Sequence, residues 1–193
     1  MATKIEIPPN HEELSVPFYA ALGRSLAFWQ RVESSLFVVI HAILGCEHPL
    51  SSTVFFHIKS PDAKLQLADK LCRLHFSDKG ILSEWKTLHG YAKDAVSTRN
   101  KIGHFEIQFI AVDAGVLKDG EPPFALTSHH LDVNQNKLMA TTSDLEGSAE
   151  AYQNVSKAIL QFVRDHFDMQ ALRTSNLPED TLQYLEKLPS SRP

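Results

Sequence analysis

The chain is poor in cysteine and glycine, has no long apolar run and carries no excess of positive charge, and each shortage excludes a class of protein. Two cysteines, Cys46 and Cys72, cannot build the disulfide framework of a small secreted scaffold; free thiols buried as small hydrophobes suit a reducing compartment. The 8 glycines include neither the Walker spacing nor a GxGxxG, which argues against nucleotide-triphosphate hydrolysis. No GxSxG elbow is present and neither cysteine sits in a context that lowers its pKa, so acyl transfer has no nominee. The longest apolar run, Leu36 to Leu44 broken by His41, is about half the length of a bilayer crossing and reads as a buried helix segment. The N-terminus lacks the basic-then-apolar layout of a signal peptide, so the expectation is a cytoplasmic protein that does not enter a membrane. With 19 basic and 23 acidic residues the net charge is −4, and a nucleic acid would need a local site or a dimer groove.

Histidine is abundant, at 10, yet its spacing does not nominate a metal. Cys46, Glu47 and His48 are adjacent on a loop and do not converge on one ion, and no second cluster completes a tetrahedron. His129 and His130 fall in a predicted strand, where neighbouring side chains point to opposite faces. No metal and no cofactor is expected.

What the sequence does have is helical periodicity. A composition of 43% hydrophobic and 22% charged residues fits one globular domain over 1–193, with a polar arm at 1–14 and a frayed tail at 189–193. Ser15 and Pro17 read as a helix start. Phe18, Leu22, Leu26, Trp29, Val32 and Leu36 then recur at spacings of three and four, and Gly45 reads as the stop, which predicts a first helix over 17–44. Ser60-Pro61 opens a second over 61–76 with Leu67, Leu71 and Leu74 inward. A third opens near Ser83 and places Arg99 on the core-side stripe with Leu88, Ala92, Ala95 and Ile102. From Phe105 the pattern alternates, and segments near 124–133 and 137–141 complete a β insertion over 105–141. Ser143 to Glu146 reads as a capping box for a fourth helix over 144–167, and a short last helix starts at Leu177-Pro178. The fold expected is mainly α: an antiparallel bundle of four to five helices with a small β-hairpin or meander between the third and fourth.

The residues that carry chemistry lie at the end of the third helix, in Arg99-Asn100-Lys101-Ile102-Gly103-His104. Given this composition, Arg-Asn-x-x-x-His is expected by chance about 0.01 times in such a chain. Asn100 and His104 are four apart and share a helical face, with Arg99 beside them. Arg is a permanent forked cation for a phosphate and for the charge of its transition state. His titrates near neutrality and can move a proton to or from a ribose hydroxyl, and Asn can fix the imidazole. The bland alternative is a His favourably placed on the helix dipole, a Gly103 cap and an Arg99 paired with a carboxylate such as Glu33.

This motif resembles that of the HEPN superfamily, compact helical bundles with Arg-x(4–6)-His near the end of a late helix. The helix order matches over roughly 17–167, and outside the six-residue motif the likeness is of pattern. The resemblance implies a homodimer whose two motifs face one cleft, binding RNA and cutting it as a metal-independent endoribonuclease of toxin or antiphage-defence type. By position it makes Arg99 and His104 catalytic and Asn100 supporting, with Glu33 and Lys101 as further supporting candidates. It also implies an antitoxin or other regulatory protein as a partner. Other members are non-catalytic modules that dimerise or bind nucleotides or proteins. Two departures stand out: members silenced by adenylylation have a tyrosine where this chain has Glu106, and the β insertion exceeds what a plain bundle needs.

Overall fold

A computed structural model describes residues 11–104, 106–109, 124–127 and 138–189. The protein is mainly helical. Its described elements are α1 (His11–Leu44), α2 (His48–His57), α3 (Pro61–His75), α4 (Lys79–His104), β1 (Glu106–Phe109), β2 (Phe124–Thr127), β3 (Leu138–Ala140), α5 (Thr142–His166), α6 (Met169–Thr174) and α7 (Glu179–Lys187). None of the described helices is long and apolar enough to cross a membrane. His129 and His130 lie outside the described residues, as does most of the expected arm.

The helix ends follow local chemistry, though not always at the expected residue. Ser15 does not cap α1. The helix starts earlier, Ser15 Oγ donates to the Glu12 carbonyl at 2.7 Å, and Pro17 lies within the helix. Gly45 does end α1, with φ +58° and its N–H donating to the His41 carbonyl at 3.1 Å, a left-handed cap that costs glycine nothing. Ser60 caps α3 by accepting from the Ala63 N–H. Asp78 accepts from the N–H groups of Gly80 and Ile81 at 2.7 and 3.0 Å, so α4 opens before Ser83. The capping box of α5 is Thr141 to Asp144 and not Ser143 to Glu146. Thr141 Oγ1 accepts from the Asp144 N–H, and Asp144 Oδ2 accepts from the Thr141 N–H at 2.9 Å. Glu146 reaches Arg24 instead, at 3.7 Å.

The chain divides into two compact units, one of residues 1–29 and 97–151, the other of 30–96 and 152–193, where the sequence pattern suggested one domain. Helices α1, α4 and α5 each contribute to both, which their lengths of 34, 26 and 25 residues allow.

In the first unit, Phe18, Ala21, Ile102, Phe124, Leu126, Ala140 and Leu145 form a buried cluster, with Leu14 and Leu22 packed against it. Strands β1 and β2 pair antiparallel with Ile107 opposite Leu126, and β2 pairs antiparallel with β3 across an irregularity at Leu126/Thr127. Phe124, Ala125 and Leu126 are all buried, so β2 lacks the in-and-out alternation of a one-sided strand.

The core of the second unit includes Trp29's successors on α1, Val32, Leu36 and Ile40, together with Trp85, Ile159, Phe162 and Leu185. Its α3 faces inward differently from expectation: Lys64, Leu65, Ala68 and Cys72 are buried while Leu74 is 84% exposed. The buried stripe contains a lysine, which hides it from a search for apolar spacing. Lys64 Nζ donates to Glu33 Oε1, and it lies over the Phe55 and Phe56 rings at 4.6 and 5.4 Å. On the same helix Asp69 accepts from Arg73 Nε at 2.9 Å and from Trp85 Nε1 at 3.2 Å. Burial alone would raise the Asp69 pKa, but Arg73, His89 and Trp85 outweigh it and hold the carboxyl below its usual value.

Candidate functional site

The last turn and a half of α4 carries Arg99, Asn100, Lys101 and His104, all within the first unit. Ile102 is the buried anchor of this segment, in contact with the cluster around Phe18 and Leu145. At 100° per residue, His104 points about 200° away from Ile102, and it is exposed, as is Lys101. Asn100 is about 40° from His104 on the helix wheel and is half-buried, as is Arg99.

Arg99 lies back along its own helix toward the C-terminal end. A Cβ at Gly103 would stand 3.4 Å from Arg99 Nη1 and 3.8 Å from Cζ, so the glycine leaves the flat face on which the guanidinium rests. Arg99 Nη1 donates to Asn100 Oδ1 at 3.4 Å. Arg99 Nε is buried and has no hydrogen-bond partner among the described residues. A buried donor left unmet is costly, so the fork is only partly satisfied by the protein. Gly103 is not a left-handed cap, since α4 continues through it to His104 and its φ is not positive.

Glu33 lies in the second unit, where its carboxylate is held by Lys64, with side-chain exposures of 15% and 7%. The pairing of Arg99 with Glu33, raised as an alternative from the sequence, is not what either residue does: Glu33 binds Lys64 and Arg99 binds Asn100.

No group of three His, Cys, Asp or Glu side chains among the described residues is arranged to hold a metal. Cys72 is buried, and burial followed by the charge of Asp69 pushes its thiol up to about 12, which makes it a poor nucleophile.

One polar cluster was not singled out from sequence, although His41 marks it by interrupting an apolar run. His41 is fully buried, its Nδ1 2.8 Å from Ser51 Oγ and its Nε2 2.7 Å from Ser175 Oγ. Each serine also donates to a backbone carbonyl, Ser51 to His48 at 3.0 Å and Ser175 to Leu172 at 2.9 Å. Burial, then the nearby His48, holds the His41 pKa below 6.5, and a neutral imidazole has one donor and one acceptor. One serine must therefore turn its hydrogen to the ring and give up its carbonyl. The imidazole ties α1, α2 and the residue after α6 together, and its role is structural.

Searches of protein-family models, of curated proteins and of solved structures found no match to this chain.

Proposed function

We propose that this protein is a HEPN-like endoribonuclease that binds RNA at the Arg99/Asn100/His104 end of α4 and cuts it without a metal. The observation that carries the reading is the contact of Arg99 with Asn100 beside an exposed His104, on one helix end. In this reading the helices form an antiparallel bundle with the strands as an appendage, and two copies bring their motifs to a shared cleft. Lys101, exposed in the same turn, adds positive charge for the RNA backbone.

The chemistry asked of these side chains is simple. A basic nitrogen of one His104 accepts the proton of a ribose 2′-hydroxyl. The 2′-oxygen forms a bond to phosphorus, the bond from phosphorus to the 5′-oxygen breaks, and that oxygen takes a proton donated by the partner's His104. Products carry a cyclic phosphate on one side and a 5′-hydroxyl on the other. Arg99 binds the non-bridging oxygens, where charge builds up in the transition state. Asn100, by accepting from Arg99, orients the fork.

Toxin or antiphage-defence activity, with an antitoxin or other regulator as partner, follows as the biological setting of such an enzyme. Expression in a bacterial host tests it: growth is arrested by the wild type and restored by His104→Ala. Equal growth of the two strains at equal protein levels overturns the toxin reading. A second reading, a non-catalytic module that dimerises and binds a nucleotide or a protein, is favoured by the net charge of −4. Failure of the wild type to bind RNA while still forming a dimer would select it.

A further inference from the structure

Helix α4 carries a row of cations separate from the motif at its end. Lys79, Lys86 and Lys93 follow one another at intervals of seven residues, all exposed and all in the second unit. Seven residues advance a helix by about 10.5 Å and fall only about 20° short of two full turns. The three side chains therefore leave one face of α4 in a nearly straight line about 21 Å long. Gly90 lies between the last two, and nothing stands within 4 Å of a Cβ built on it, so the row is open there.

The charge of the row is not spent within the protein. Side chains that face one another on a helix are three and four residues apart. At those spacings within α4 the lysines meet Leu82, Ser83, His89, Gly90, Val96 and Ser97, none of them a carboxylate. None of the three lysines forms an ion pair among the described residues. The carboxylates adjoining this stretch have other partners: Asp78 accepts from the Gly80 and Ile81 N–H groups, Asp69 accepts from Arg73 and Trp85, and Glu84 Oε2 lies 2.9 Å from His166 Nε2. Asp94 directly follows Lys93 and so points about 100° away from it. In a chain of net charge −4, a local row of positive charge is what the binding of a polyanion requires.

Lysines about 10.5 Å apart along the axis cannot close on one small anion, whereas a polymer with charges at regular intervals can meet all three. We propose that the Lys79/Lys86/Lys93 face binds the phosphate backbone of single-stranded RNA, a contact that holds the strand without reading its bases. The inference rests on the RNA reading above and adds to it residues outside the Arg99/Asn100/His104 motif.

The test uses the full chain carrying His104→Ala, so that the strand stays whole. It is titrated into a labelled single-stranded oligoribonucleotide and followed by fluorescence anisotropy, with and without Lys79→Gln, Lys86→Gln and Lys93→Gln together. Each phosphate contact to a single strand contributes about 0.7 to the slope of log affinity against log salt, so the triple substitution is expected to reduce that slope by about 2. Between about 50 and 200 mM salt the parent is then expected to lose affinity about 20-fold more than the variant. The circular dichroism spectrum is expected to be unaltered, because all three side chains are exposed. An equal salt slope in the two proteins overturns the inference and leaves the RNA reading standing. Absence of RNA binding by either protein overturns both. Poly-glutamate that binds as tightly as the RNA, and is lost with the lysines, overturns the inference in favour of an acidic protein partner.

Discussion

The Glu33–Lys64 pair is a strong test of how this fold is held, because it distinguishes a buried charge from a surface one. Side-chain exposures of 15% and 7% place both groups largely out of water, and the ammonium lies over two aromatic rings. Removing Lys64 alone, as in Lys64→Met, leaves the Glu33 carboxylate buried without its counter-charge, which costs about 3–5 kcal/mol. Against a total stability of about 5–15 kcal/mol this is a large fraction. For a chain of this size it corresponds to a fall in Tm of roughly 6–20 °C. Glu33→Leu is expected to cost less, because the Phe55 and Phe56 faces still attract the cation by about 0.5–2 kcal/mol. The double variant, Glu33→Leu with Lys64→Met, buries no charge and is expected to recover wild-type stability or exceed it by about 1–4 kcal/mol. Urea unfolding followed by circular dichroism measures all four proteins. A loss below about 1 kcal/mol in Lys64→Met, the value of an exposed pair, would refute the reasoning and return Glu33 to the pool of functional candidates.

Three further outcomes are expected. His41 has a folded-state pKa below its unfolded value, so the unfolded chain takes up the proton first; stability is full above about pH 6.5 and falls as pH drops below it. Thermal melts from pH 8 to 5 check this against a His41→Gln variant with a flatter profile, and a Tm that rises toward acid would show that both serines keep their carbonyls and the ring is charged. Cys72, with its thiol pushed up to about 12, is expected to resist iodoacetamide in the folded protein while the half-exposed Cys46 is labelled, and mass spectrometry of the digests reads the difference. Thr141→Ala removes the acceptor for the Asp144 N–H and is expected to cost about 1 kcal/mol by urea unfolding, with Ser143→Ala costing less.

Helix existence was legible where apolar spacing ran long and was bounded by turn chemistry. Phe18, Trp29, Val32 and Leu36 are buried on α1 as their spacing implied, whereas Leu26 of the same stripe is 40% exposed, and Gly45 and Ser60 terminate and cap as their chemistry requires. What misled was polarity in buried places. Lys64 rotated the apparent inward face of α3 onto Leu74, which is nearly fully exposed, because an ion pair under aromatic rings leaves no apolar signature. Thr141 and Asp144 compete with Ser143 and Glu146 for the same capping role two residues apart, and both pairs satisfy the sequence rule. Helix α2 has no helical signature in the sequence, because Pro49, Ser51 and Ser52 are residues common in turns; Pro49 occupies the first turn, where it needs no N–H partner. The α4 motif was legible as spacing, which brought Arg99, Asn100 and His104 to one helix end. For Glu33, a carboxylate beside an apolar stripe does not reveal which cation it will meet, and that cation is Lys64.

The central claim is that Arg99 and His104 cleave RNA, and the most direct measurement is an incubation of purified protein with mixed cellular RNA in EDTA, beside Arg99→Ala and His104→Ala, with fragment ends typed chemically. The account predicts cutting by the wild type alone, leaving cyclic phosphate and 5′-hydroxyl ends. Equal processing by all three proteins, or fragments ending in a 5′-phosphate, would contradict it.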